Sequence, residues 1–182
     1  MRVIAGLSKG KKLQTLEGQD VRPTISRIKE SIFNIIQFEI QSRKFLDLFS
    51  GSGQMGIEAL SRGAKSVTFV DSRVQSIEII KQNLKSTGLP ENFNIVNADA
   101  LDFLDSTNEK FDIAYLDPPY KVGILQKAMC KLVDVMSYNG IIICESPVDE
   151  KLDKKIGSYI LIKTYNYGKI SINVFKNKDV VD

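Results

Sequence analysis

From residue 44 onward this chain alternates short apolar runs with amphipathic stretches, and several of the runs stop at glycine or proline turns. That alternation constrains the fold more than any other feature. A strand followed by a helix normally rejoins its sheet through a right-handed parallel crossover. Phe45-Leu46-Asp47-Leu48-Phe49 reads as a buried strand ending at Ser50-Gly51-Ser52-Gly53. The spacing predicts a helix over 55–62 with Gly63 as its left-handed cap, then a strand over 66–70. The next helix is expected to open at Ser72, which has capping-box spacing to Gln75. Its buried face would carry Val74, Ile77, Ile80 and Leu84, and Gly88 would end it. Strands are expected over 93–96 and 111–116, the second running into Asp117-Pro118-Pro119-Tyr120. Leu125, Ala128, Met129, Leu132 and Met136 form a helical stripe that closes at Asn139-Gly140, before a fifth strand over 141–144. Alternating runs over 159–165 and 170–175 meet near Tyr167-Gly168 and should form an antiparallel hairpin. The expectation is an α/β domain with a mostly parallel, seven-stranded sheet and a C-terminal antiparallel hairpin. Ligands of such sheets bind at the carboxyl ends of the strands, where strand order reverses.

The segment before residue 44 is of another kind. Arg2-Val3-Ile4-Ala5 and Lys12-Leu13-Gln14-Thr15 are expected to pair as a small β-hairpin across the turn at 6–10. Pro23-Thr24 precedes a helix with Ile28, Ile32, Ile35 and Ile36 on one face. Residues 1–22 therefore read as a basic appendage, and 23–182 as the main domain. The net charge of +3 divides unevenly: residues 1–44 hold nine Lys/Arg against four Asp/Glu, whereas 45–182 hold sixteen against eighteen. An acidic partner, nucleic acid first, is expected at the N-terminal side.

A chain of 182 residues buries roughly two-thirds of its unfolded surface and needs no disulfide or metal staple. Cys130 and Cys144 form no CxxC pair and are expected in apolar surroundings, consistent with a reducing, cytoplasmic location. No apolar run reaches 18 residues and no signal-peptide pattern follows Met1-Arg2, so no membrane association is expected. Histidine is absent, which removes Ser-His-Asp and Cys-His catalysis and nearly every catalytic zinc site. Chemistry must run on carboxylates, backbone groups or a cofactor.

Two motifs carry candidate chemistry. In Asp47-Leu48-Phe49-Ser50-Gly51-Ser52-Gly53-Gln54-Met55-Gly56 the glycines have G-x-G-x-x-G spacing between a strand and a helix. Asp71 ends the second strand twenty residues after Gly51, which suits a carboxylate for two ribose hydroxyls. Both a nicotinamide dinucleotide and S-adenosylmethionine (AdoMet) fit that geometry. Asp47 favours AdoMet, because a carboxylate repels a pyrophosphate and attracts an ammonium and a sulfonium. In the second motif, the prolines of Asp117-Pro118-Pro119-Tyr120 donate no N–H and leave carbonyls free to accept. Asp117 and the Pro118 carbonyl could hold the two hydrogens of an exocyclic amine while Tyr120 stacks on the base.

Together these motifs resemble the class I AdoMet-dependent methyltransferases that modify exocyclic amines of nucleobases, which share a Rossmann-like fold. The blocks Arg2-Val3-Ile4-Ala5-Gly6, Lys9-Gly10-Lys11-Lys12-Leu13, Arg22-Pro23-Thr24 through Arg27, Lys29-Glu30 and Phe33-Asn34 narrow the resemblance to the RsmD family. Those enzymes are guanine-N2 methyltransferases of bacterial small-subunit (16S) ribosomal RNA, and the likeness covers essentially the whole chain.

The resemblance implies that Asp47, Phe49, Gly51 and Gly53 border the methionine part of AdoMet, with Asp117 completing the wall. It places Asp71 and Ser72 at the ribose, Asp99 and Ala100 at the adenine, and Arg22 and Thr24 over the pocket. Thr24 reads equally well as a helix N-cap. Arg2, Lys9, Lys11, Lys12 and Arg27 would touch RNA phosphates. Asp117, Pro118, Pro119 and Tyr120 would form the catalytic group, with S-adenosylhomocysteine as product, no metal, a 30S-subunit substrate and a monomeric enzyme. Ser50 stands where alanine is expected in relatives; both are small, so the difference is expected to be neutral.

Three other readings compete. A DNA adenine-N6 methyltransferase uses a similar motif but usually needs a target-recognition domain. A nicotinamide oxidoreductase leaves Asp47 and the Asp-Pro-Pro-Tyr motif without a role. A non-catalytic RNA-binding protein on the same fold would not need competent residues at every expected position.

Overall fold

The computed structural model describes residues 1–16, 23–119 and 123–181. Apolar runs become strands where glycine or proline interrupts them, and the intervening stripes become helices. The order is α1 (Pro23–Ile35), β1 (Lys44–Leu48), α2 (Gln54–Ser61), β2 (Ser66–Asp71), α3 (Val74–Thr87), β3 (Phe93–Asn97) and α4 (Ala100–Ser106). There follow β4 (Phe111–Leu116), α5 (Ile124–Leu132), β5 (Met136–Pro147), β6 (Lys155–Ile156), β7 (Tyr159–Tyr167) and β8 (Ile170–Asn177). They form one sheet in the order β3-β2-β1-β4-β5-β8-β7-β6. Strands β1 to β5 pair in parallel, while β8 inserts antiparallel between β5 and β7. The chain direction of the crossovers reverses between β1 and β4, so the switch point lies at Leu48 and Leu116. Eight strands stand where seven were expected; the additional one is the two-residue β6, paired with the start of β7.

Each sheet face buries its own core. One face packs Phe45, Phe69, Ile113 and Ile143 against Ile32, Ile57 and Ile80 of α1, α2 and α3. The other packs Leu46, Val70, Ala114 and Ile142 against Phe103, Ala128 and Met129 of α4 and α5. Strands buried on both faces read as near-continuous apolar runs, as the middle of β5 does and as β1 and β4 do, interrupted by Asp47 and Asp112.

Several local expectations are corrected. Helix α3 begins one turn position later than Ser72: Arg73 is its N-cap and makes no side-chain capping bond, so the capping box does not form. Val74 consequently points to solvent at 60% exposure, while Ile77, Ile80 and Leu84 are buried as expected. Strand β5 starts at Met136, and Asn139-Gly140 lies inside it instead of ending a helix. Gly140 is a close-approach glycine there: a Cβ would stand 2.6 Å from the Tyr159 hydroxyl. Cys130 is exposed, against the expected apolar setting, and Cys144 is buried. The N-terminal hairpin reduces to one antiparallel bridge, Arg2 to Lys12. The segment nevertheless docks firmly, with Val3 and Leu13 buried in the α1–α3 core.

A buried ionic cluster secures that docking. The Glu58 carboxylate in α2 is wholly buried and accepts the Ile4 and Ala5 amides at 2.8 and 3.0 Å. It also pairs with Lys29 at 3.2 Å and Arg62 at 2.9 Å. Lys29 in turn donates to the Arg2 carbonyl at 2.7 Å, and burial pushes its ammonium pKa down. Gly6 sits so close that a Cβ would lie 1.7 Å from the Ser61 carbonyl oxygen, and its φ of +82° is left-handed.

Candidate active site

Four carboxylates end up on one face of the sheet's carboxyl edge because strand periodicity puts them there. Asp47 is opposite Tyr115 in the β1–β4 register, so Asp117, two residues beyond Tyr115, shares Asp47's face. Asp71 closes β2. Glu145 lies in β5, two residues beyond Ile143, the partner of Tyr115.

Asp47 is buried and accepts the Gly56 amide at 2.9 Å. Burial drives its carboxyl pKa up to about 8; the Gly56 bond opposes that shift and the charges of Asp71 and Asp117 add to it. The loop above it turns through left-handed residues at Phe49 (φ 67°), Gly51 (φ 56°) and Gly53 (φ 73°). Gly53 also needs its missing side chain, since a Cβ would stand 2.9 Å from Ile80. Asp71 holds this loop to β2: one oxygen accepts the Gly51 amide at 2.8 Å and the other the Arg73 amide at 2.9 Å. Ser72 beside it is exposed.

Asp99 is the N-cap of α4, its carboxylate accepting the Leu101 amide at 2.8 Å, and Ala100 is the first helical residue. Asp117 is open to solvent at the strand edge but hemmed by protein behind. Incomplete solvation pushes its carboxyl up to about 6. Pro118 is buried and Pro119 exposed beside it. Tyr120 and Arg22, and the side chain of Thr24, lie outside the described residues. Arg2, Lys9, Lys11, Lys12 and Arg27 are all exposed, four of them on the docked N-terminal loop and Arg27 on α1. The structure thus brings Asp47, Gly51, Gly53, Asp71 and Asp117 around the switch point and leaves Arg2, Lys9, Lys11 and Lys12 on the N-terminal segment and Arg27 on α1.

Four residues of this region escaped the sequence reading. Ser50 is more than a small spacer: its hydroxyl donates to the Asp47 carbonyl at 2.5 Å and accepts the Val70 amide at 2.9 Å. Asn83 in α3 donates to the carbonyls of Gln14 and Ser52 at 3.0 and 2.9 Å, joining the N-terminal segment to the glycine loop. Gln54, the first residue of α2, buries an amide oxygen that has no hydrogen-bond partner among the described residues. Glu145 is nine-tenths buried and accepts the Tyr115 hydroxyl. Burial, then the charge of Asp117, drives its carboxyl up to about 8. Only Glu145 had a local signal, a carboxylate closing the run Ile141-Ile142-Ile143-Cys144.

These features fit a cationic ligand with hydroxyls. A buried carboxylate on a single amide (Asp47), an unpaired buried acceptor (Gln54) and a glycine-lined turn receive positive charge without steric obstruction. Among the described residues no group of three His, Cys, Asp or Glu side chains gathers as a metal holder, and no helix is long and apolar enough to cross a membrane.

A family model described as conserved hypothetical protein 95, the RsmD family, matches residues 1–176. The chain belongs to the RsmD family of methyltransferases. YlbH of Bacillus subtilis is 36% identical over 184 residues, spanning 98% of this chain and 100% of YlbH. The ribosomal RNA small subunit methyltransferase D of Haemophilus influenzae is 34% identical over 182 residues, covering 97% and 94% of the two chains. The solved structure of yhhF from Escherichia coli superposes with a TM-score of 0.87 at 27% identity, covering 97% of each chain. The Rossmann-like methyltransferase fold expected from the resemblance is therefore the one observed.

Proposed function

We propose that this methyltransferase transfers the methyl group of AdoMet to the exocyclic N2 of a guanine in 16S ribosomal RNA of the small subunit. The observation that carries the reading is the pairing, across the switch point, of a buried Asp47 under a glycine turn with Asp117 at the edge of the adjacent strand. The first is suited to a cationic cofactor and the second to an amine. Full-length similarity to a protein named for ribosomal RNA small subunit methylation supplies the substrate class.

In this reading Asp47, Phe49, Gly51, Gly53 and Asp117 border the methionine portion, joined by Gln54. Asp71 and Ser72 take the ribose. Asp71 Oδ2 accepts only the Gly51 amide, while Oδ1 takes the Arg73 amide and, at 3.5 Å, its Nε–H; Oδ2 therefore keeps a free acceptor site. Asp99 and Ala100 face the adenine. Bound there, AdoMet supplies an activated methyl group for in-line transfer and departs as S-adenosylhomocysteine.

The protein's part is alignment and charge. A guanine amine is a weak nucleophile because its lone pair is delocalised. Asp117 and the Pro118 carbonyl accept its two hydrogens and stabilise the positive charge that develops on nitrogen. Pro119 stiffens the turn, Tyr120 is assigned the stacking role on the base by its place in the Asp-Pro-Pro-Tyr motif, and Asp117 is placed to receive the proton the nitrogen sheds. Holding the nitrogen in line with the methyl carbon is worth several kcal/mol of barrier on the order of measured effective molarities. The target base must be unpaired or flipped to reach this edge. Residues 1–22 act as the basic RNA-facing appendage, through Arg2, Lys9, Lys11, Lys12 and, from the main domain of 23–182, Arg27. The enzyme works as a cytoplasmic monomer without a metal.

The test offers labelled AdoMet with under-methylated 30S subunits, naked 16S rRNA and DNA, followed by mapping of the modified base. Label at guanine N2 of the ribosomal RNA is expected. Label in DNA alone would favour the adenine-N6 reading and overturn this one.

A further inference from the structure

Glu145 has no part in the chemistry described so far, yet it stands beside the residue that does. Leu116 and Cys144 are register partners on adjacent parallel strands, so Asp117, just past the end of β4, and Glu145, within β5, are the next residues along and share a face. Neighbouring strands lie about 4.8 Å apart, which sets the two carboxylates side by side. Glu145 is nine-tenths buried, and its one hydrogen bond among the described residues comes from the Tyr115 hydroxyl to Oε1. Tyr115 is itself buried and anchored on the same strand as Asp117. The hydroxyl therefore fixes one carboxylate oxygen and leaves the other with no described partner.

Two adjacent carboxylates with no cation between them are unfavourable by themselves, and the pair is repaid by a ligand presenting two adjacent donors. Guanine has that pattern: its N1–H stands next to its N2 amine on one edge. Adenine carries an acceptor, N1, next to its amine. We propose that Glu145, held by Tyr115, accepts the N1–H of the target guanine next to the amine held by Asp117, and so selects guanine over bases with an acceptor at N1. This rests on the guanine-N2 reading above and adds a residue that determines its specificity. Burial favours the neutral form of both carboxyls, and the donors on guanine draw them back to the ionised form that accepts N–H.

The experiment uses 2,6-diaminopurine, which keeps the N2 amine and replaces N1–H by an acceptor. RNA carrying guanosine or 2,6-diaminopurine at the mapped nucleotide is built by ligation into whichever substrate the labelling assay accepts. Affinity in the presence of S-adenosylhomocysteine and single-turnover methyl transfer are measured for wild type, Glu145→Gln and Tyr115→Phe. Wild type should favour guanosine by about tenfold or more in both measurements, the range for losing one arm of a paired base contact. Glu145→Gln can turn its amide hydrogens toward the N1 acceptor, so the preference should shrink to within about threefold or invert. Tyr115→Phe should relax the preference partially, and it carries the test should Glu145→Gln fold poorly. An unchanged preference in both variants overturns the inference while leaving guanine-N2 methylation intact. Failure of wild type to modify guanosine in any substrate overturns both.

Discussion

Replacing Glu58 by alanine isolates the link between the buried ionic cluster and the N-terminal segment. Glu58 receives the amides of Ile4 and Ala5 and pairs with Lys29 and Arg62. Lys29 is as deeply buried as its partner, so the variant strands an ammonium in the core with only the Arg2 carbonyl left. Removing one member of a buried ion pair costs about 3–5 kcal/mol. The alternative is for the segment to lift off, which exposes Val3 and Leu13 at about 1.5–3 kcal/mol each. The two routes cost about the same, so the loss should be about 3–5 kcal/mol and should include opening of residues 1–16 ahead of the rest. Urea denaturation measures the first quantity, and hydrogen exchange at Ile4 and Ala5 the second. Affinity for RNA should fall with the opening. A loss below about 1 kcal/mol with both amides still protected would refute the reasoning, since intact burial cannot coexist with an unpaired Lys29 at that cost.

Ser50→Ala removes the acceptor of the buried Val70 amide and should cost about 1–3 kcal/mol by chemical denaturation, with weaker AdoMet binding. Neutralising Lys9, Lys11 and Lys12 together should lower the slope of log affinity against log salt by about 2–3, if each meets one phosphate. An unchanged slope would return the loop to being a solvated surface. Asp47 is held well above its unfolded pKa, so the native state keeps a proton that the unfolded chain has lost. Stability of the ligand-free protein should therefore fall as pH rises from about 4 to about 8. Asp47→Asn, an analogue of the protonated form, should flatten that fall in thermal melts and weaken cofactor binding.

Elements with a short-range signature were legible in the sequence. The runs of β1, β2 and β4, the stop of α3 at Gly88 and the β7–β8 hairpin at Gly168 follow from apolar continuity and glycine turns. Asp47, Asp71 and Asp117 stood out as candidates because each closes or interrupts such a run. What escaped depends on distance. Asn139-Gly140 has the composition of a turn, and only Tyr159 from a remote strand explains a glycine inside β5. Ser72 and Gln75 have capping spacing, but Asp71 draws the chain in by taking the Arg73 amide, and Arg73 becomes the N-cap in place of Ser72. Glu58 and Ser50 also have local contacts, but the partners that give Glu58, Asn83 and Ser50 their roles, Ile4, Gln14 and Val70, lie 20 to 69 positions away, so no local pattern reports them. The glycine loop and the Asp-Pro-Pro-Tyr motif were legible as residues and carried the family resemblance, which said nothing of the hydroxyl and amide bonds that brace the loop.

The antiparallel insertion of β8 between β5 and β7 sets when the site can exist. Strand β5, which carries Glu145, finds its outer neighbour in residues synthesised later: Glu145 pairs with Ile172, and Ile141 with Lys176. Until they arrive, β5 is an open edge with Ile141, Ile142 and Ile143 in an unfinished sheet, a template for wrong pairing. Long-range pairing of this kind is slow to form. Loss of β8 would therefore act as an active-site lesion without removing any carboxylate, and a nascent chain should acquire activity only after residues 170–177 have been made.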